Sequence, residues 1–440
     1  MDINRLFADA VAHQNEGRWA EAAALYRKID KARPGLGPVN WNLGIVLKAQ
    51  EQWDDALRAF EKADKAGGDF RGLLFNIGLC WQKLGRMEAA AKAFEKAVAA
   101  EPDDHVGLFN LAAAYRELDQ LEKAVAAVDR SLALNPDFVE AQLLQSKLRT
   151  RMLPIWHVPM VNDAPRNDAY EAAIKAQVRP GDLVLEIGTG SGLLAMMAAR
   201  AGATVVTCEA VPWIAETARA VIAANGLSDR VTVVNTLSTA LQVGDVLPRR
   251  ADILLSEIVA SDFLSERIIP AVADARARLL RPDARILPER GGVRCALAGG
   301  DILERHLFTG PTNGFDLTPF NRLYPRTVRY DARTVQPVAL SSAIDPFSFD
   351  FTAGPVPLCE QVRFSLTANA IGHCVALAQW VWLDFGKGIL FENSPFVDSP
   401  ASGWQPGFFL PPAPFPVSPG KVVDIDGYHD SYNVWLSFRP

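Results

Sequence analysis

A chain of 440 residues is long for one domain and predicts two or three. Its net charge of −6 argues against a broad nucleic-acid footprint, and its five cysteines (Cys80, Cys208, Cys295, Cys359, Cys374) include no C-x-x-C pair, so neither a disulfide framework nor a zinc site is expected. The N-terminus lacks the apolar core of a signal peptide and no apolar run is long enough to span a bilayer, which makes a cytoplasmic protein without membrane contact the expectation.

The first third of the chain repeats. Trp19, Trp53, Met87 and Leu121 fall 34 residues apart, as do Ala22, Ala56, Ala90 and Ala124, and Tyr26, Phe60, Phe94 and Val128. A small Ala with a large residue four positions on is a pattern of helix packed against helix. The period and these positions resemble the tetratricopeptide repeat. That resemblance implies an all-α solenoid over residues 1–151, with four repeats and a closing helix at 139–151. Asn42, Asn76 and Asn110 share one repeat position, on the helix that lines the concave face in this family. An Asn side chain offers a donor and an acceptor together, which suits a peptide backbone. Trp41, Phe75 and Phe109 precede them. Two readings stay open: both rows dock a peptide, or both knit adjacent repeats.

Pro154 and Pro159 bracket a linker into a second region, 152–289, where strands alternate with helices at the spacing of a doubly wound α/β sheet. A helix is predicted at 169–177. Leu183, Val184, Leu185 and Ile187 then read as a buried parallel strand. Gly188, Gly190 and Gly192 allow a sharp turn and a close backbone approach to a ligand, ahead of a helix at 193–203. The second strand, 204–209, ends in Glu209, an acid placed to hold ribose hydroxyls. Glu186, just before the turn, would repel a pyrophosphate but not a cationic sulfonium, which favours S-adenosyl-L-methionine over a dinucleotide. A helix at 214–225 and a strand at 231–235 follow, then Ser238 and Thr239 where an adenine edge would lie. The fourth strand is 251–257, and a helix is expected at 267–280. From about residue 290 alternating runs (293–297, 361–366, 375–383, 432–438) predict an antiparallel β-barrel or sandwich over 290–440. The proline-rich 408–420 reads as an edge strand running into a loop.

From 160 to 280 the chain resembles the protein arginine methyltransferases. The glycine turn, Glu209, and the stretch from Ser256-Glu257 to Ser265-Glu266, with two acids nine apart, carry the likeness. Its monomethylating branch, and the relative bearing tetratricopeptide repeats, are the nearest in pattern; those members hold two catalytic modules and this chain has one. The resemblance implies a multidomain methyltransferase with a β-barrel, acting on arginine in a protein or peptide, with homodimers as in other members. It implies that Arg166 clasps the donor's carboxylate, that Gly188 and Gly190 lie against its methionine part, and that Ser238 and Thr239 meet its adenine. Met160 and Trp404 would face the substrate arginine. The family's Thr-His-Trp is Ser402-Gly403-Trp404 here, so a polar partner that steadies the pocket is missing, and the family's tyrosine-bearing helix upstream of Met160 is not evident.

A guanidinium is planar, always charged and rich in N–H donors, so two carboxylates can hold it in plane and aim one nitrogen. Glu257 and Glu266 are the candidates for that catalytic pair. Glu266 has a competing reading as an acid at a helix start. Ser256-Glu257-Ile258-Val259 replaces the Asn/Asp-Pro-Pro-aromatic turn common in methylation of bases and amides, which counts against that class. A methyltransferase acting on another side chain or a small molecule, and a non-catalytic repeat adaptor, are the remaining alternatives.

Overall fold

The computed structural model describes residues 2–68, 70–152, 157–397 and 402–439. The chain forms two compact units, Met1–Pro154 and Ile155–Pro440. Pro154, named above as a linker residue, lies outside the described residues.

The first unit is four helix pairs, α1–α2 (Ile3–Asn15, Trp19–Ala32), α3–α4 (Gly37–Ala49, Trp53–Ala66), α5–α6 (Leu73–Lys83, Met87–Ala100) and α7–α8 (His105–Glu117, Leu121–Leu134), closed by α9 (Val139–Met152). The repeated Ala and the aromatic or Val four residues on are fully buried in every pair. A glycine explains the fit. A Cβ on Gly44 or Gly78 would stand 2.5 Å from the ring of Phe60 or Phe94. In α7 the same position is Ala112, and its partner has shrunk to Val128. An interior Gly normally costs a helix about 0.5–1 kcal/mol against Ala. Overpacking costs about 1–3 kcal/mol, so it wins here. Gly78→Ala is therefore expected to lower the stability of this unit despite its better helix propensity. Phe94→Val in the same chain should restore much of the loss; thermal unfolding followed by circular dichroism checks both.

In the second unit, α10 (His157–Val161) and α11 (Ala164–Gln177) lead into five parallel strands: β1 (Leu183–Ile187), β2 (Thr204–Glu209), β3 (Val231–Asn235), β4 (Ala251–Ser256) and β5 (Leu280–Leu287). Their order is β3-β2-β1-β4-β5. The helices α12 (Leu193–Arg200), α13 (Pro212–Ala224) and α14 (Ile268–Arg278) intervene. The sheet is fed by apolar runs: all five residues of β1 are buried. Two differences from the sequence reading have local causes. Helix α11 starts at Ala164, earlier than predicted, because Asp163 caps it and Pro165 suits its first turn. Strand β5 was not predicted, since its polar Arg281-Pro282-Asp283 start hides the pattern of an edge strand.

Beyond β5 the sheets are antiparallel. Arg290–Gly299 pairs along its length with Ala376–Asp384, and Glu360–Thr367, Val422–His429 and Val434–Phe438 form a three-stranded sheet. The stretch Gly407–Phe409 is not an edge: it pairs with Ala376–Asp384 on one side and Thr327–Arg329 on the other, which buries Phe408. One hydrophobic core runs from the parallel sheet into this domain, joining Leu185 and Leu254 to Val293, Phe349 and Leu377. Among the described residues no helix is long and apolar enough to cross a membrane.

Candidate active site

Strands β1 and β4 lie side by side with Ile187 opposite Ser256. The strand order reverses direction between them, and the crevice outside their carboxyl ends is where such a sheet takes a ligand. After β1, Gly188, Gly190 and Gly192 adopt φ of +88°, +50° and +79°, a region in which a Cβ is strained. A Cβ on Gly188 would lie 2.6 Å from Ile258 Cγ2, so the turn is pressed against the segment that follows β4. At Gly190 the nearest atom, His157 Nε2, is 3.9 Å away, leaving a cradle beside the turn. Glu209, the last residue of β2, accepts from the Gly190 amide at 3.1 Å and from the Val211 amide at 2.9 Å.

Glu186 is buried, and burial pushes its carboxyl up to about 8, against hydrogen bonds from Thr207 and the Ala195 amide; one oxygen, Oε2, has no partner among the described residues. Positive charge arriving beside it would draw that carboxyl back down toward its ionised form.

Arg166, on the first turn of α11, is buried and spans the crevice. Its Nη1 donates to Glu257 Oε1 at 2.5 Å, its Nη2 to Asn167 Oδ1 at 2.8 Å, and its Cζ lies 5.8 Å from the centre of the Trp404 ring. The Arg166 amide donates to Asp163 Oδ1 at 3.2 Å. Glu257 follows β4 and is raised to about 7, first by burial and then by Glu266 and Asp163, with Arg166 pulling the other way.

Glu266 is exposed to solvent. Its carboxyl is also raised to about 7, by desolvation and by Asp262 and Glu209. Helix α14 begins at Ile268 with Arg267 as its cap and no side chain bonding its first amides, so Glu266 does not serve as a helix cap. The loop carrying both glutamates is fastened to the β domain. Phe263 stacks 5.3 Å from Phe349, Arg329 donates to Asp262 at 3.0 Å, Gln379 donates to the Ser261 carbonyl at 3.2 Å, and Arg267 donates to the Tyr432 hydroxyl at 2.8 Å.

Ser238 and Thr239 form a short 3-10 turn after β3, and Arg278 holds their carbonyls at 3.4 and 3.2 Å. Trp404 is buried against Phe391, and Met160 packs on Gly403, whose absent Cβ would stand 2.6 Å from Met160 Cα. Gly403 brings no polar side chain to this point, and beside it Ser402 Oγ donates to Asp163 Oδ2 at 2.7 Å. Asp163, Asn167 and Ser402 escaped the sequence reading; only Asp163-Ala-Pro165, a helix-start signal, marked one of them. In the first unit Asn42, Asn76 and Asn110 each donate, at 2.8 Å, to the carbonyl four residues back on their own helix. The Asn76 oxygen also accepts from Lys48 at 2.6 Å, and Trp41, Phe75 and Phe109 pack on Phe60, Phe94 and Phe138.

Around the glycine turn stand Glu186, Glu209, Glu257 and Glu266, with the guanidinium of Arg166 bonded to Glu257. Glu186, Glu257 and Glu266 are raised first by burial and then by neighbouring carboxyls. Such a site disfavours a pyrophosphate and fits two cations, a sulfonium and a guanidinium; the residues present fit S-adenosylmethionine.

Residues 42–105 and 83–148 match family models described as tetratricopeptide repeat, and residues 171–287 match the model of ribosomal protein L11 methyltransferase (PrmA). An arginine N(omega)-methyltransferase of Streptomyces achromogenes subsp. streptozoticus is 39% identical over 284 residues, 64% of this chain and 77% of the relative. Protein arginine N-methyltransferase 7 of Oryza sativa subsp. indica is 34% identical over 54% of this chain, which spans only 36% of that protein. In fold, the chain is similar to the Trypanosoma brucei PRMT1 enzyme–prozyme heterotetrameric complex with AdoHcy, with a TM-score of 0.55 and 22% identity over 66% of this chain and 95% of that one. Arabidopsis thaliana protein arginine methyltransferase 10 is similar at a TM-score of 0.52 and 22% identity, over 61% of this chain and 86% of that one. Identity of 39% across more than three quarters of a relative's length carries more than a shared fold: the chain belongs to the arginine N-methyltransferase family, enzymes that methylate guanidinium nitrogen from S-adenosylmethionine, and bears tetratricopeptide repeats.

Proposed function

We propose that this chain methylates arginine in protein substrates, with Glu257 and Glu266 gripping the guanidinium and the repeats docking the protein that carries it. The observation that supports this most is a pair of glutamates, both with raised carboxyls, beside the glycine turn at the sheet's reversal point. In this reading residues 1–151 dock, 152–289 hold the methyl donor through Arg166, Gly188, Gly190, Glu209, Ser238 and Thr239, and 290–440 form the barrel that brings Trp404 to the pocket. S-adenosylmethionine supplies a methyl group activated by a positively charged sulfur. Glu257 keeps Oε1 on Arg166 and turns its other oxygen to the substrate. Glu266, across the cleft, takes a second N–H. Together they fix the guanidinium plane and localise electron density on one nitrogen. The N–H proton replaced by methyl leaves to one of these carboxyls, and a raised proton affinity suits that task.

The pH dependence follows. A protonated glutamate cannot hold a guanidinium, so kcat/KM should rise as pH climbs through about 7 and level off above it. The two glutamates sense each other, so the apparent values belong to the pair. A profile flat from about pH 6 to 8.5 would count against the pair.

Docking has its own test. Replacing Asn42, Asn76 and Asn110 by Ala should raise KM for a protein substrate severalfold and leave a short arginine peptide unaffected. Equal effects on both substrates would remove the docking role. A second reading, arginine methylated outside a protein, is favoured by the Streptomyces relative, whose name specifies arginine alone. Labelled methyl transfer to free arginine and to protein, followed by acid hydrolysis and amino-acid analysis, separates the two and distinguishes arginine from lysine. A homodimer belongs to the same reading, and sedimentation checks it.

A further inference from the structure

Ser402 joins two parts of the second unit that are far apart in sequence. Its hydroxyl donates to Asp163 Oδ2 at 2.7 Å and accepts the Trp404 amide at 3.2 Å. Asp163 is 3% exposed, and its other oxygen accepts the Arg166 amide at 3.2 Å. The chain of contacts continues beyond Trp404. Its carbonyl accepts from Asn393 Nδ2 at 2.5 Å, and Asn393 Oδ1 accepts the amide of Val381, in the long strand Ala376–Asp384. One hydroxyl thus bridges the core of the β domain and the capped start of α11.

The middle of the bridge admits no side chain. A Cβ at Gly403 would lie 2.6 Å from Met160 Cα and 2.8 Å from Met160 N, which are backbone atoms and cannot swing aside. The φ of Gly403 is not in the left-handed region, so space alone demands glycine here. With 403 closed to polar chemistry, the neighbouring hydroxyl is the group that meets the buried carboxylate.

We propose that Ser402 is a positioning residue for the methyl donor: by tying Asp163 to the Trp404 backbone, it sets Arg166 between Glu257 and the Trp404 ring. A buried carboxylate that loses one hydrogen bond is held less firmly, and the bond it keeps is to the Arg166 amide, so Arg166 moves with it. The guanidinium would then shift against Glu257, with which it shares a contact of 2.5 Å. This rests on the reading of Arg166 as the residue that holds the donor's carboxylate.

The test compares Ser402→Thr with Ser402→Val in the full chain. The two side chains are close in shape and differ in the hydroxyl, so packing effects cancel between them. Titration calorimetry with S-adenosylhomocysteine, which carries the same carboxylate and is not consumed, reads binding without turnover. The Thr variant should bind within about threefold of wild type, and the Val variant about ten- to a hundredfold more weakly, as expected for a lost bond to a charged group. Turnover should follow, with KM for S-adenosylmethionine rising more than kcat falls. Equal affinity in Thr and Val, with wild type binding normally, overturns the positioning role. If wild type itself fails to bind the ligand, the donor-site reading falls instead. Gly403→Ala serves as the steric control: it should lower the melting temperature, and a normal melt with normal binding would also overturn the argument.

Discussion

Glu266→Gln is expected to lower kcat by about 10²–10³, the usual consequence of removing one preorganised electrostatic contact, while donor affinity stays at the wild-type value. Gln keeps the size and one acceptor, and the loop is fastened through Phe263, Asp262, Ser261 and Arg267. Glu257→Gln should lose as much in rate but behave differently toward the donor. Glu257 is the anionic partner of Arg166, so its neutralisation frees the guanidinium and should tighten donor binding. The double variant should cost less than the sum, because both glutamates act on one cation. Single-turnover rates and donor calorimetry on the three variants give the comparison. Near-normal turnover of Glu266→Gln on an arginine substrate would end the paired-carboxylate reading.

Arg166→Ala should show a second large effect, on both binding and stability. Donor affinity should fall by at least about tenfold, since a charged hydrogen bond is removed. The stability loss should depend on pH. Glu257 is already raised to about 7 with Arg166 beside it, and without that cation its folded value climbs further. A carboxyl raised in the folded state contributes stability that is complete below its unfolded value and is lost as pH rises through the folded value. At about pH 6 Glu257 holds its proton in both proteins, so the penalty is small. Above about pH 8 the variant must bury an unpaired charge or bind a proton against the gradient, and the deficit should grow by up to about 1.4 kcal/mol for each pH unit above 7. Denaturant titrations at both ends of that range measure it. An equal loss at both pH values would mean that the guanidinium acts through packing on Trp404 instead.

Much of this molecule could be read from order along the chain. The 34-residue period, the apolar run of β1, the three glycines and the acids at strand ends are local patterns, and local backbone physics turns them into helices, strands and a turn. The two glutamates were legible for the same reason: one ends a strand and the other follows at a short interval. What stayed hidden depends on through-space company. Glu186 is a plain acid before a turn in the sequence, and only its burial in the fold shows its carboxyl pushed up to about 8. The polar start of β5 concealed an edge strand until β4 was there to pair with it. The Asn row showed where the repeats align, but only the folded helices show its amides bonded to their own backbones and the aromatic row engaged between helices. Asp163 and Ser402 are 239 positions apart, and no period or spacing links them. Only the tertiary structure presses Gly403 onto Met160, closes that position to a side chain, and hands the buried carboxylate to the serine beside it, because close packing and hydrogen-bond satisfaction are properties of neighbours in space.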